Sequence, residues 1–167
     1  FSGAVKPGIE KCFLLHPYAS ITKKTDISEI VFTFWGKKAP VIEKVLSNAG
    51  LNFFYAGIHP GSMYHTSAVI SGNFTQYFFI AAKELLNKQG FSDTQSSALI
   101  KQLILSSIEN CEKGGISGIT GPAARGDAEI IRNETEALKQ KNIEFAKLFY
   151  NINKLISKAV KNGTIFN

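Results

Sequence analysis

The sequence predicts a mostly helical chain in two parts: the C-terminal end of an α/β domain over residues 1–60, then an all-helical domain over residues 61–167. Two observations carry this division. Short β-prone runs fall almost wholly before residue 60, and beyond it apolar residues recur at helical spacing. A third supports it: five of the chain's 14 glycines crowd into Gly114–Gly126, marking a break between helices.

Phe13-Leu14-Leu15 and Ile30-Val31-Phe32-Thr33-Phe34 read as strands, because each is short, apolar and bounded by polar or turn-prone residues. Between Ala39 and Ala49, Val41, Ile42, Val45 and Leu46 keep helical spacing; Pro40 suits the first turn and Gly50 the stop. Leu51 to Ala56 resumes a strand. A strand, a helix and a strand in succession imply a parallel pair. Ser62 to Gln89 then reads as one long helix closed by Gly90. Its stretch Ile80 to Leu86 is apolar nearly all round, which predicts burial in a bundle or at a dimer interface. Ser92 with Gln95 matches a capping box opening a helix that carries Leu99, Leu103, Ile104 and Ile108. Asp127 is placed to cap a further helix to about Lys139. The last helix runs from about Asn142 to Lys161, with Phe145, Leu148, Phe149, Ile152, Leu155, Ile156 and Ala159 on one face.

Composition narrows the function classes. Hydrophobic residues at 44% and charged residues at 19% are those of a folded globular chain, not a disordered one. No apolar run approaches the about 18 residues of a membrane span. Cys12 and Cys111 make neither a disulfide framework nor a four-ligand zinc site, so the expected setting is the reducing cytoplasm and no metal is expected. The net charge of +6 raises the question of nucleic acid. After Glu144 no acid follows, so Lys147, Lys154, Lys158 and Lys161 place +4 of it on one stretch of helix, a pattern of a solvated face. The chain has only two arginines, Arg125 and Arg132, which argues against base reading. Starting at Phe1 with no initiator Met, the chain is expected to have been cut from a longer one.

Three segments can carry chemistry. Thr120-Gly121-Pro122-Ala123-Ala124-Arg125-Gly126-Asp127 combines glycines with an Arg and an Asp ahead of a helix. Such a loop lets backbone approach a ligand, the helix start favours an anion, and Arg125 offers a bidentate contact. The competing reading is a plain helix–helix connection, with Asp127 as N-cap and Arg125 paired to an acid. His16-Pro17 follows an apolar strand, where α/β sheets place ligands, and an imidazole there can exchange a proton near neutral pH. A surface turn is the alternative. Tyr64-His65 opens the long helix, and Asn73, eight residues beyond His65, shares its face to within part of a turn. These polar groups either satisfy one another or face a cleft. His59 before Pro60 reads as a loop residue. No strand–GxGxxG–helix, GxxxxGK[ST], HExxH or GxSxG pattern occurs in the chain.

The His-Pro after a strand, the Tyr-His opening a long helix with an Asn further on, and the Thr-Gly-Pro-x-x-Arg-Gly-Asp loop together resemble the Rossmann-like family catalogued as domain of unknown function 2520 (DUF2520). The resemblance runs from Phe1-Ser2-Gly3 to the last helix, and the eight-residue loop is its most specific element. It implies that residues 1–60 end a Rossmann-like domain and that 61–167 form a helical domain like the C-terminal domain of 6-phosphogluconate dehydrogenase. It further implies similarity to pyrroline-5-carboxylate reductase, ketopantoate reductase and the F420-dependent NADP oxidoreductases, which move hydride to or from a nicotinamide and dimerise through their helices.

On that resemblance His16 and Pro17 would lie beside the cofactor, NADP or NAD, held by a nucleotide-binding half that precedes Phe1. Tyr64, His65 and Asn73 would line a substrate cleft, and Thr120, Gly121, Arg125 and Asp127 its opposite wall. His65 or His16 would exchange the proton and Arg125 would anchor a small anionic substrate. The partner expected is a second copy of the chain. The alternative is a non-enzymatic scaffold that binds a small anion or a protein.

Overall fold

The computed structural model describes residues 13–166; Cys12 and the Phe1-Ser2-Gly3 start of the resemblance lie outside them. The chain forms two compact units, the first ending at Glu84 and the second beginning at Leu85.

The first unit holds a three-stranded sheet in the order β1-β2-β3: β1 (Leu14–Pro17), β2 (Val31–Trp35) and β3 (Asn52–Gly57). β2 and β3 are parallel, joined by α1 (Pro40–Asn48), as the strand–helix–strand pattern predicted. Pro40 opens α1, where the first amide has no partner within the helix anyway. β1 runs antiparallel to β2 with His16 opposite Thr33. Alternation along β2 sends Phe32 and Phe34 to one face, where both are buried, and Thr33 and Trp35 to the other. Phe34 is fully buried and meets Phe13 edge-on, with ring centres 5.5 Å apart. Burying one such ring stabilises the fold by roughly 1.5–3 kcal/mol. Ile30 and Leu46 are buried as well.

The long helix begins as α2 (Ser62–Val69), widens into a single π turn over Ile70–Phe74, and continues as α3 (Thr75–Lys88). The π turn was not foreseen. Burial of this helix was expected, yet none of the described residues of α3 is buried, and Tyr77, Phe78, Ile80 and Leu85 stay exposed. Within the described residues this stretch is therefore not buried as the sequence led one to expect.

In the second unit, α4 (Asp93–Gly114) opens on a complete capping box. Ser92 accepts from the Gln95 amide at 3.3 Å, and the Gln95 side chain accepts from the Ser92 amide at 2.9 Å. Asn87, in the last turn of α3, ties that end to α4, donating to Asp93 and accepting from the fully buried Ser96 at 2.7 Å each. A short 3-10 turn at Gly115–Gly118 folds back on the end of α4. There a Cβ on Gly118 would overlap the Asn110 carbonyl, so only glycine fits.

α5 (Pro122–Arg125), α6 (Ala128–Lys139) and α7 (Ile143–Asn162) complete the unit. Ile131, Thr135, Ala146 and Ala159 are the buried residues of α6 and α7, and Ala123 of α5 is buried too. Ser157 of α7 donates to the Ala123 carbonyl at 2.7 Å, fixing α5 to α7. Asn142 caps α7 through the Phe145 amide.

Candidate functional site

The first unit builds a polar cluster on the Thr33–Trp35 face of the sheet. Tyr64, in the first turn of α2, lays its ring against Trp35 at 5.0 Å, His16 at 5.5 Å and Tyr18 at 5.7 Å between ring centres. Its hydroxyl lies 2.9 Å from His16 Nδ1 and 2.6 Å from Thr33 Oγ1. The Trp35 indole N–H donates to Thr33 Oγ1 at 3.0 Å. Tyr18 is held to α2 by a 2.9 Å hydrogen bond between its hydroxyl and Ser67.

Beside this cluster opens a cavity of about 320 Å³ lined by Leu14, His16, Pro60, Gly61, Ser62, Tyr64, His65 and Thr66. It thus gathers His16, Tyr64 and His65, three of the residues singled out from the sequence. Partial burial holds the His16 pKa below its ordinary value, and the nearby His65 lowers it further by repulsion between like charges. His16 is therefore tuned to stay neutral at neutral pH. A carbonyl or carboxylate oxygen entering the cavity would meet two imidazoles and the start of α2.

The position of His16 differs from the expectation in one respect. It does not follow the strand but sits within β1, and β1 runs against β2 and β3. The rule that ligands gather at the carboxyl ends of parallel strands therefore does not explain its place; the Tyr64 contact across the sheet does. Pro17 ends the same strand, opposite Phe32. Asn73 falls in the π turn and is exposed.

The Thr120–Asp127 loop lies in the second unit. Gly121 has φ of 99°, a left-handed conformation open to glycine, and the loop's middle winds into α5 instead of staying irregular. Arg125 holds Asp127 through Nε at 3.0 Å and Nη2 at 2.9 Å. Asp127 stands at the N-cap position of α6, but its side chain does not cap the helix. The expected cap is absent, and the carboxylate instead takes both Arg125 contacts on Oδ2. Arg125 keeps Nη1 for another partner. Thr120 is exposed.

Reading the sequence for site residues missed Thr33, Trp35 and Tyr18. A signal was present: Thr33 interrupts the apolar run Val31-Phe32-Thr33-Phe34-Trp35, and period-2 alternation places it with Trp35 on the same face. Among the described residues no group of His, Cys, Asp and Glu side chains could hold a metal ion, and no helix is long and apolar enough to cross a membrane.

A sheet edged by an antiparallel strand, followed by helices and carrying a histidine–tyrosine cavity, is the class of protein that the geometry defines. The chain belongs to the family described as domain of unknown function DUF2520, whose model matches residues 31–156. Its fold is similar to protein TM1727 from Thermotoga maritima, at TM-score 0.69 and 24% identity over 90% of this chain and 62% of that one. It is similar also to the protein from Bacteroides fragilis named putative NADP oxidoreductase BF3122, at TM-score 0.69 and 19% identity over 87% of this chain and 57% of that one. The chain thus spans about three-fifths of the length of these solved structures. No curated protein matches it. The mostly helical fold, with the end of a Rossmann-like sheet followed by a helical domain, agrees with the sequence reading.

Proposed function

We propose that this chain is the C-terminal portion of an NAD(P)-dependent oxidoreductase, and that the His16–Tyr64–His65 cavity is its acid–base site. The observation that carries the reading is the convergence of two imidazoles and a phenol on one cavity, in a fold similar to that of a protein named for NADP oxidoreduction.

The cavity's roughly 320 Å³ suits a small acid or a nicotinamide ring, at the lower end of the range of about 300–1,000 Å³ for ligand sites. It is too small for a whole dinucleotide. His16 and Pro17 would hold the reactive end of the cofactor, whose chemistry is hydride transfer. The rest would be held by residues preceding Phe1. His16 or His65 would exchange the proton with the substrate. Tyr64 and Asn73 would contact a small anionic substrate on the first unit; Thr120, Gly121, Arg125 and Asp127 are the anion-binding candidates of the second unit, taken by itself. Residues 1–60 would end the Rossmann-like domain and residues 61–167 would form the helical domain of this enzyme.

The partner would be a second copy, docked on apolar residues of the long helix that stay exposed in the first unit, Phe78 and Ile80. A monomeric mass by sedimentation would count against this interface. The cytoplasm is the compartment proposed, on the sparse cysteine content.

The test is titration of the complete protein, and of this chain alone, with NADPH and NADH followed by nicotinamide fluorescence. Saturable binding by the complete protein supports the oxidoreductase. If neither binds, the reading fails and a non-enzymatic module for a small anion or a protein takes its place.

A further inference from the structure

We infer that Trp35, Thr33 and Tyr64 form a one-way hydrogen-bond relay that makes Nδ1 of His16 an acceptor and leaves Nε2–H as the donor His16 offers to the cavity. The argument is one of proton counting. The Trp35 indole N–H can only donate, and it donates to Thr33 Oγ1 at 3.0 Å. The Thr33 hydroxyl has a single proton and two acceptors in view. The His16 carbonyl lies at 3.4 Å, beyond the ordinary O–H···O range of about 2.5–3.0 Å, and the Tyr64 oxygen lies at 2.6 Å, within it. The proton therefore goes to Tyr64.

Tyr64, accepting from Thr33, has its own proton left for His16 Nδ1 at 2.9 Å. An imidazole that accepts at Nδ1 is neutral and carries its proton on Nε2. Each hydroxyl that accepts becomes a better donor, so the three bonds reinforce one another. Protonating His16 would set two protons against each other on the Nδ1–Tyr64 line. Among the described residues, His65, next to Tyr64 on α2, is the charged neighbour that acts on His16, and in the same direction.

Thr33 and Trp35 are positioning residues in this scheme, acting on His16 through Tyr64. Within the oxidoreductase reading, on which this part rests, a neutral imidazole N–H suits a substrate carbonyl oxygen. The cavity would then take a small keto or carboxylate compound, with His16 as hydrogen-bond donor and not as the base.

The sequence has three histidines, so 15N-histidine labelling follows all of them individually by NMR titration. Tyr64→Phe removes the donor to Nδ1, and the relay requires the His16 pKa to rise. Were His16 instead the donor to Tyr64, the same substitution would lower it. A fall, or no change, overturns the relay. Thr33→Val should raise the His16 pKa by less than Tyr64→Phe does, and Thr33→Ser, which keeps the hydroxyl, should restore the wild-type value; a fall with valine overturns the relay even if Tyr64→Phe does not fold. Adding NADPH and a small keto acid to the complete protein tests the functional reading separately, because unmoved His16 and His65 resonances would sink that reading and leave the relay standing.

Discussion

The Tyr64 hydroxyl stands 2.9 Å from Nδ1 of His16, joining two residues 48 positions apart across the face of the sheet. This contact organises the first unit's polar cluster. It brings the start of the long helix onto β1, and it commits one imidazole nitrogen of His16. The hydroxyl of Thr33 completes it from β2.

Stability should fall on the acid side of neutrality. The His16 pKa in the folded chain lies below its ordinary 6.5, through burial first and His65 second. As pH drops below about 6.5 the unfolded chain binds a proton that the folded chain resists, so stability increases with pH through that window and levels off above it. Urea midpoints measured between about pH 5 and 8 should show this slope, and His16→Gln should flatten it. An equal slope in the variant would assign the effect to another group.

Gly118→Ala should destabilise the second unit by about 1–3 kcal/mol, because its Cβ would press into the Asn110 backbone, which cannot move without opening the end of α4. Gly61→Ala is the comparison: nothing lies within 4 Å of a Cβ there and φ is −78°. That variant should be neutral or slightly stabilising. Thermal melts of both report the difference, and a harmless Gly118→Ala would mean that the 3-10 turn packs less closely than described.

Arg125→Ala should leave stability within about 1 kcal/mol of wild type, since the Arg125–Asp127 pair has both side chains substantially exposed and such pairs contribute little. If Arg125 anchors an anionic substrate, the same variant in the complete protein should raise KM at least tenfold while the melting temperature holds. A large loss of stability would make the ion pair structural and withdraw the anchor.

Local structure was legible where one short stretch of chain decides it. The Ser92–Gln95 box, Pro40 at the start of α1 and Asn142 at the start of α7 all act within four residues, so spacing alone revealed them. The parallel β2–β3 pair followed from the helix between the strands. Asp127 shows the limit of such reasoning: its sequence position is that of a cap, but its carboxylate turns to Arg125, two residues earlier, and makes no cap hydrogen bond. The apolar Ile80–Leu86 stretch signalled burial, yet burial is decided by what packs on a helix and not by its own periodicity, and none of the described residues of α3 is buried.

By itself, then, the sequence determined the mostly helical character, the places of most helices, the Ser92 and Asn142 caps, and the chemical types His16, Tyr64, His65 and Arg125. Tertiary structure alone decided that β1 runs antiparallel, that the long helix widens into a π turn containing Asn73, and that Thr33 and Trp35 belong with Tyr64 and His16. The physical reason is range. Caps and periodicity are set by neighbours within a turn or two, whereas the partner of a hydroxyl on β2 is fixed only when α2 packs across the sheet.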